Sequence, residues 1–324
     1  PELLSMYRSF ADVVTKNDLD EQAAKAGLRP LTPPVDGGKP FNHVVERSPG
    51  QAAYMEEIIE RMEHLPKDPR IDNPLKITND ARKAGLDYRL IDPEAGDYDG
   101  SKSNAAVERI FQIWQDTAAD KGTQLVFCDL STPKGGSAAP ATVPGLEFVE
   151  EDFAAQSDME ASTESGVGPG TEPDMEGVQA GEDSVEPGDD EGADNSVAED
   201  MDSCVAAGSR FSVYDDMRQK LMERGIPADE IAFIHDANTD IRKAKLFSDM
   251  QAGRVRILLG STAKMGAGMN VQKRLVAAHH LDAPWRPSDL EQRNGRIIRQ
   301  GNMLYERNPD KFSVGVYYYA TKQT

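Results

Sequence analysis

The stretch of sequence that decides the fold reads "VRILLGSTAKMGAGMNVQ" and spans residues 255–272. Its first six residues, apolar except for Arg256, have the length and β-branched content of a buried strand. The run passes directly into small hydroxyl residues and glycines, which are typical of a loop that lets a ligand approach the backbone closely. A second apolar run, "LVAAHHLD" (275–282), follows at once. The stretch therefore predicts two buried strands joined through a ligand-contacting loop.

Strands and helices alternate on both sides of this stretch, from residue 210 to residue 324. Besides the two runs above, the predicted strands are "IAFIHD" (231–236) and "FSVGVYYYA" (312–320). The predicted helices are "VYDDMRQKLMERG" (213–225), "TDIRKAKLFSDMQAG" (239–253) and an arginine-rich segment after residue 286. This alternation predicts an α/β fold, with a parallel sheet covered by helices on both faces. Ligands of such sheets bind at the carboxyl ends of the strands.

The loop that follows "VRILLG" has the composition of a phosphate-contacting loop. The residues that suit this role are Ser261 and Thr262 as hydroxyl donors, Lys264 as a charge, Gly266 and Gly268 for close backbone approach, and Asn270 as a brace. A G-x-G pattern taken alone fits a simple tight turn equally well. The pattern becomes a more specific sign of a phosphate site when it is taken together with the segment that follows the next strand.

That segment reads "QRNGRIIRQG" (292–301) and concentrates three arginines in a chain whose formal net charge is −20. Because an α-helix turns about 100° per residue, Gln292, Arg296 and Arg299 are expected to share one stripe of a helix. Arg293 is expected beside that stripe, and Gly295 leaves a gap on the same side. Planar guanidinium groups in a fixed array suit phosphate oxygens, which they bind in a bidentate manner. The alternative is an ordinary solvated basic helix face.

One tract accounts for the net negative charge of the chain. Residues 147–202 contain 20 of the 56 acidic residues, and no Lys or Arg lies between Lys134 and Arg210. The remainder is formally neutral, so the low isoelectric point of about 4.7 does not exclude a nucleic-acid ligand. Residues 134–209 are rich in Gly, Ser, Pro and acids, and we predict a disordered acidic insertion there. A DNA-mimicking or partner-docking tract is the alternative.

Cysteine content and hydropathy indicate the compartment in which the protein is expected. Cys128 and Cys204 offer neither a disulfide framework nor a metal-ligand spacing, so a reducing cytoplasm is the expected compartment and no metal site is predicted. No apolar run reaches the length of a membrane span, and the start has no signal-peptide pattern. Because the chain opens with Pro1, we expect it to be a piece of something longer.

The first 133 residues divide into two predicted parts. Residues 1–99 are expected to be a mainly helical and linker segment, with a short strand "FNHVVE" (41–46) and a capped helix "SPGQAAYMEEIIERMEHL" (48–65). A short helix is also expected around Asn79 to Ala84. In residues 100–133 the pattern predicts a helix "SKSNAAVERIFQIWQDTAADKG" (101–122) and a buried strand "TQLVFCDL" (123–130).

The motifs resemble those of a known family. "LLGSTAKMGAGMNVQ" resembles motif V and "DLEQRNGRIIRQGN" resembles motif VI of superfamily 2 helicases. The connecting "HHLDAPWRPSDLEQR" is similar to the stretch before motif VI in Swi/Snf-type DNA translocases, and "TQLVFCDLSTP" looks like the motif IV strand. The chain is most similar to the large, often methylase-linked helicase proteins of phages and conjugative elements. The resemblance implies a second RecA-like lobe, interrupted by the insertion of residues 134–209 and resuming at residues 210–324.

The same resemblance implies roles for the motif residues. ATP with Mg²⁺ would lie in a cleft between two RecA-like lobes, where Arg296 and Arg299 reach the γ-phosphate, one of them as an arginine finger. The implied nucleotide-binding residues are Gln292, Gly266, Gly268, Asn270 and Gly295. The implied contacts with the DNA backbone are Ser261, Thr262, Lys264 and Arg293.

The first-lobe motifs of such enzymes are missing from the sequence. There is no G-x-x-x-x-G-K-[ST], and "VDGGKPF" (35–41) lacks the Ser or Thr. No strand ends in an Asp-Glu box. The chain is therefore expected to supply half of an active site, to need a first lobe from the same longer polypeptide, and to be inactive alone. The alternatives are a non-enzymatic DNA- or partner-binding remnant, and an antirestriction protein that acts through its acidic insertion.

Other polar residues point less clearly to function. His279, His280 and Asp282 suggest a metal site by composition, but neighbours on a strand point to opposite faces, so we reject it. A structural or coupling role is expected for His235 and its neighbour Asp236. Packing beside the nucleotide cleft is expected for Trp285.

Overall fold

A computed structural model of the protein describes residues 16–132, 211–266 and 269–322. The predicted acidic insertion, residues 134–209, lies outside these ranges, as do residues 1–15 and Gly268. Among the described helices, none combines the length and the apolar character that crossing a membrane requires.

The centre of the fold is a six-stranded sheet in which all neighbouring strands are parallel. Its strands are β1 Phe41–Val45, β2 Thr123–Phe127, β3 Ile231–Phe233, β4 Ile257–Gly260, β5 Leu275–His280 and β6 Gly315–Thr321. Their spatial order is β1-β6-β5-β2-β4-β3. The predicted α/β class with a parallel sheet is confirmed. β1 comes from within the segment 1–99 and extends the sheet beyond β6, with Phe41 opposite Tyr317.

Nine described helices of five or more residues surround or extend this sheet. They are α1 Lys16–Lys25, α2 Pro49–Glu63, α3 Pro74–Leu86, α4 Lys102–Asp116, α5 Val213–Glu223, α6 Asp240–Ala252, α7 Thr262–Gly266, α8 Pro287–Ile297 and α9 Met303–Arg307. Several begin at caps that the sequence signals. Ser48 closes a capping box with Gln51 at the start of α2, and the Thr239 side chain accepts the Arg242 amide at the start of α6.

The core lies on both faces of the sheet because side chains alternate along the buried strand β2. Val126 packs on one face with apolar residues of α4 and α5 such as Ile110 and Met217. Its neighbours Leu125 and Phe127 pack on the other face with residues of α6, α7 and α8. This period of two is the reason that one strand can anchor two helical layers.

Three predicted helix boundaries are wrong. The helix expected around Asn79 to Ala84 spans Pro74–Leu86, because Asn73 caps it and Pro74 occupies its first turn. The helix expected to reach Gly122 ends at Asp116. The turns that follow include Lys121, whose φ of 50° is left-handed and does not continue an α-helix.

The third error concerns the arginine-rich helix. α8 ends at Ile297, and Ile298 leaves the helical conformation with φ −93° and ψ 76°. The break lets Ile297 and Ile298 pack against the same core cluster. Arg299 therefore lies beyond the helix and does not continue the stripe of Gln292 and Arg296. The glycine-bearing loop after β4 also differs from expectation, because its first part forms the short helix α7.

Candidate functional site

Polar residues gather where the central strands β2, β4 and β5 end. Asp129 lies two residues past β2, Ser261 and Thr262 follow β4 directly, and Asp282 lies two residues past β5. Because the strands are parallel, these four residues meet at the carboxyl edge of the sheet.

Thr262 is bound through both its amide and its hydroxyl. Its backbone N–H donates to Asp129 Oδ1 at 2.6 Å, and its hydroxyl Oγ1 donates to Asp129 Oδ2 at 2.8 Å. Ser261 is almost fully buried and Thr262 partly buried, whereas Lys264, two residues after Thr262 in α7, is exposed. Of the three predicted DNA contacts in this loop, Lys264 is thus the one that the fold presents to solvent.

Arg293 is the largest fully buried side chain of the described residues, although the sequence placed it among the exposed basic groups. Its Nε donates to Thr262 Oγ1 at 2.7 Å and its Nη2 donates to Asp129 Oδ2 at 2.5 Å. Its guanidinium carbon lies 5.1 Å from the centre of the Phe127 ring. The structure therefore brings the two predicted DNA contacts Thr262 and Arg293 together, with Thr262 partly buried and Arg293 inside the lobe.

Asp282 completes this buried cluster. Its Oδ2 accepts the backbone amides of Asp129 at 2.5 Å and Leu130 at 3.1 Å, and its Oδ1 lies 3.5 Å from Arg293 Nη2. Burial raises the pKa of the Asp282 carboxyl, and the nearby Asp129 carboxylate adds to the rise, while Arg293 opposes it. Two acids thus share one buried guanidinium.

The remaining arginines of the segment behave differently. Arg296 is partly exposed and Arg299 is exposed. Within the described ranges, neither has a hydrogen bond or an ion pair. Gln292 is exposed as well, and a Cβ built on Gly295 would meet nothing within 4 Å, which agrees with the predicted gap. Arg296 on this side of α8 and Arg299 beyond the end of the helix therefore have guanidinium groups available for an external anion.

The other predicted nucleotide-binding residues are spread more widely. Gly266 is the last residue of α7, and Gly268 lies outside the described residues. Asn270 is exposed, and its carbonyl accepts from Gln251 Nε2 at 2.5 Å. Asn270 lines a cavity of about 190 Å³ together with Gly301, the last residue of the arginine-rich segment. The fold thus brings Asn270 near the end of that segment rather than to the carboxyl edge of the sheet.

Sequence patterns missed two basic residues near this edge. Lys102, at the start of α4, is buried, and desolvation lowers the pKa of its ammonium group to about 8. Arg82 donates to the Ala283 carbonyl at 2.8 Å and places its guanidinium 4.4 Å from the ring centre of Trp285. The "SK" at a predicted helix start was the available signal for Lys102, whereas nothing local marks Arg82.

Two histidines, His279 and His280, lie in the core. His279 binds Tyr319 Oη at 2.9 Å and Gln124 Oε1 at 3.0 Å, while His280 stacks on Phe127 with ring centres 5.0 Å apart. Burial lowers the pKa of both imidazoles to about 3. His235 is partly buried, and desolvation lowers its pKa as well. In the described part of the chain, no three His, Cys, Asp or Glu side chains are grouped to hold a metal ion.

A family model matches part of this chain. Residues 205–301 match the helicase conserved C-terminal domain, which confirms for that stretch the resemblance carried by the motifs. The matched range includes β3, β4, β5 and the whole of α8.

One curated relative and two solved structures are also similar. "Defense against restriction protein B" of Escherichia phage P1 is 36% identical over 78 residues, which are 24% of this chain and 3% of the phage protein. The crystal structure of the C-terminal part of the Fun30 ATPase domain is 13% identical with a TM-score of 0.45, covering 90% of this chain and 86% of that one. The Sulfolobus solfataricus SWI2/SNF2 ATPase core, solved with dsDNA, is 12% identical with a TM-score of 0.42, covering 88% and 41%. Both structural likenesses are too weak to support a functional conclusion.

Proposed function

We propose that this chain, which carries a helicase conserved C-terminal domain, is the second RecA-like lobe of an ATP-dependent DNA helicase or translocase of the Swi/Snf-like type. In this proposal it supplies Arg296 and Arg299 to ATP bound on a first lobe, and it contacts the DNA backbone through Lys264. The first lobe belongs to the same longer polypeptide and provides the phosphate-binding loop and the Asp-Glu box. We also propose a cytoplasmic location, the compartment expected for a chain without a disulfide framework.

The observation that supports this proposal most directly is the contrast between Arg293 and the two arginines that follow it, Arg296 and Arg299. Arg293 is fully paired inside the lobe, whereas Arg296 and Arg299 have no ion-pair partner among the described residues. Exposed, unpaired guanidinium groups next to a glycine gap suit a phosphate that arrives from outside. An arginine that stabilises charge during phosphoryl transfer must have its guanidinium free to contact the phosphate.

The residues present fit one half of an ATP site. Arg296 and Arg299 can bind phosphate oxygens, with Gln292 on the same side of α8 as Arg296. Among the described residues, no three or more His, Cys, Asp or Glu side chains are grouped to hold a metal ion, and in this proposal the Mg²⁺ ligands lie on the first lobe. When bound, Mg²⁺ neutralises charge on the phosphates. This chain's own contribution is to place two permanent cations against the transferred group.

The proposed DNA contact rests on Lys264. Its ammonium group is exposed at the carboxyl edge of the sheet and has no ion pair in the described ranges. Lysine binds phosphate as a point charge and needs no fixed geometry, which suits a contact that must release and rebind the backbone.

The name of the phage P1 relative favours a second candidate function. That protein is called a defence against restriction, and this chain shares 36% identity with 78 of its residues. An antirestriction role would use the acidic tract as a DNA mimic, or the lobe as a binding module without turnover.

Substitution of the two arginines distinguishes these functions. In the longer polypeptide, Arg296→Lys or Arg299→Lys should lower kcat for ATP by about 10³-fold, the lower end of the arginine-finger range, because lysine lacks the planar fork. DNA affinity without nucleotide should stay within about twofold, since neither side chain is assigned to DNA. Lys264→Gln is the matched control and should weaken DNA binding. Arginine variants that lose DNA binding but hydrolyse ATP normally would contradict the catalytic assignment.

A further inference from the structure

We propose that Asp129, Thr262 and Arg293 form an internal strut that fixes α7 against α8 and thereby couples DNA contact to the position of the ATP-site arginines. In this proposal Thr262 and Arg293 are positioning residues and do not touch DNA, although their residue types and places in the motifs suggested phosphate contacts. The inference rests on the function proposed above, because it assigns the two ends of the strut to DNA and to ATP.

The strut is a closed set of short hydrogen bonds. The Asp129 carboxylate accepts from the Thr262 amide at 2.6 Å, from the Thr262 hydroxyl at 2.8 Å and from Arg293 Nη2 at 2.5 Å. The Thr262 hydroxyl in turn accepts from Arg293 Nε at 2.7 Å. Each residue therefore contacts the other two, so none of them moves without breaking bonds to both partners.

Arg293 has no nitrogen left for an external phosphate. Nε is bound to Thr262 and Nη2 to Asp129, while Nη1 lies 3.3 Å from the Asp282 carbonyl and 3.5 Å from His280 Nδ1. The side chain is 1% exposed and the Phe127 ring covers one face of the guanidinium. Contact with DNA would require the buried carboxylate of Asp282 to lose its only cation at ion-pair distance among the described residues.

The positions along the chain link this strut to both proposed ligands. Thr262 starts α7 and lies two residues before Lys264, the proposed DNA contact. Arg293 lies in α8 three residues before Arg296, which is just under one helical turn. A displacement of α7 on DNA is therefore passed to α8 through Asp129. A closed hydrogen-bond network built around a buried guanidinium suits this role because its members shift as a unit.

The first experiment separates internal pairing from DNA contact and uses the 324-residue chain with duplex DNA. Each phosphate contact that is lost reduces the slope of log K against log[salt] by about 0.9. Arg293→Gln should leave that slope unchanged, whereas Lys264→Gln, the matched removal of one charge, should reduce it by about 0.9. A reduced slope in Arg293→Gln, with a normal near-ultraviolet circular dichroism spectrum, would overturn the assignment.

A milder pair of variants guards against misfolding of Arg293→Gln. Thr262→Val keeps the side-chain shape but removes the hydroxyl that Asp129 and Arg293 both contact, whereas Thr262→Ser keeps the hydroxyl. In the longer polypeptide, the ratio of ATP turnover with DNA to turnover without DNA should fall by about 10-fold in Thr262→Val, in line with positional effects on catalysis. Thr262→Ser should retain the ratio. Equal ratios in both variants would overturn the coupling role.

Hydrogen exchange tests the strut even if no ATP turnover exists. In the 324-residue chain, Arg293→Gln should speed exchange of the Thr262 amide by about 10-fold or more, because Asp129, its acceptor, is no longer fixed by Arg293. The Met265 amide, which donates to the Ser261 carbonyl in the first turn of α7, should exchange faster as well. Amide exchange in β3, the outermost strand next to β4, should be unchanged. Unchanged exchange at Thr262 would refute the mechanical link. If the wild-type longer polypeptide shows no DNA-stimulated ATP turnover, the proposed function is refuted. The hydrogen-exchange result then decides whether the strut exists.

Discussion

Removal of the Arg293 guanidinium should produce a large, pH-dependent loss of stability. In Arg293→Met, the Asp282 side chain, 3% exposed, stays buried without its cation, and Asp129 loses its ion pair. Breaking a buried pair by removing one partner costs about 3–5 kcal/mol, because an uncompensated charge remains. The control Arg296→Met, on the same helix, removes a guanidinium that has no ion pair in the described ranges and should change the unfolding free energy by about 0.5 kcal/mol or less.

The pH dependence follows from the direction of the Asp282 pKa. That pKa is already raised by burial in the wild-type fold, and loss of Arg293 raises it further. A carboxyl with a higher pKa in the folded chain favours folding most below its unfolded value of about 4, and that contribution is lost as the pH rises through the folded value. The deficit of Arg293→Met should therefore be largest near pH 7.5 and smaller near pH 5.

Urea unfolding of both variants and the wild type at the two pH values measures this difference. A deficit of Arg293→Met below about 1 kcal/mol at pH 7.5, or one that grows on acidification, would refute the buried arrangement of Arg293 and Asp282.

Three further outcomes are expected. Burial lowers the pKa of Lys102 from 10.5 to about 8, so the unfolded chain binds this proton more tightly than the folded chain does. Between pH 7 and pH 10.5 the wild type should therefore gain up to about 3 kcal/mol of stability over Lys102→Met in urea unfolding. Parallel pH profiles of the two proteins would contradict this. Gly122→Ala should cost about 1–3 kcal/mol because its Cβ meets Thr117 and Val276. Gly295→Ala, in open space, should gain up to about 1 kcal/mol, and a reversed order in thermal unfolding would contradict the packing. Deletion of residues 135–209 should leave the sheet folded, since loop length adds little closure entropy, and loss of cooperative unfolding would show that the segment is needed.

The strands were predictable because each is a short apolar run set off by polar residues or glycine. All six predicted strand segments form strands, including β1, which the sequence placed ahead of the lobe. Helix ends were less predictable. Nothing in "TAADK" (117–121) opposes a helix locally, yet Lys121 adopts a left-handed φ of 50°. Gly122, which follows it, has no room for a Cβ beside Val276, a residue 154 positions later in the chain.

The candidate site was predictable in composition but not in orientation. Arg293 has the same local sequence signals as Arg296, yet it pairs with Asp129, 164 positions away. No helical periodicity reports such a partner. The available hint was that both "FCD" and "HHLD" end buried strands with an acid, and two acids at one sheet edge need a cation.

The central claim is that this chain supplies half of an ATP site. Its most direct test is DNA-stimulated ATP turnover, measured side by side for the 324-residue chain and for the longer polypeptide that joins it to a first lobe. We expect no turnover above a mock preparation for the 324-residue chain, and turnover that rises with DNA for the longer polypeptide. Hydrolysis by the 324-residue chain that persists through further purification, or a longer polypeptide with both lobes that hydrolyses no ATP, would contradict the claim.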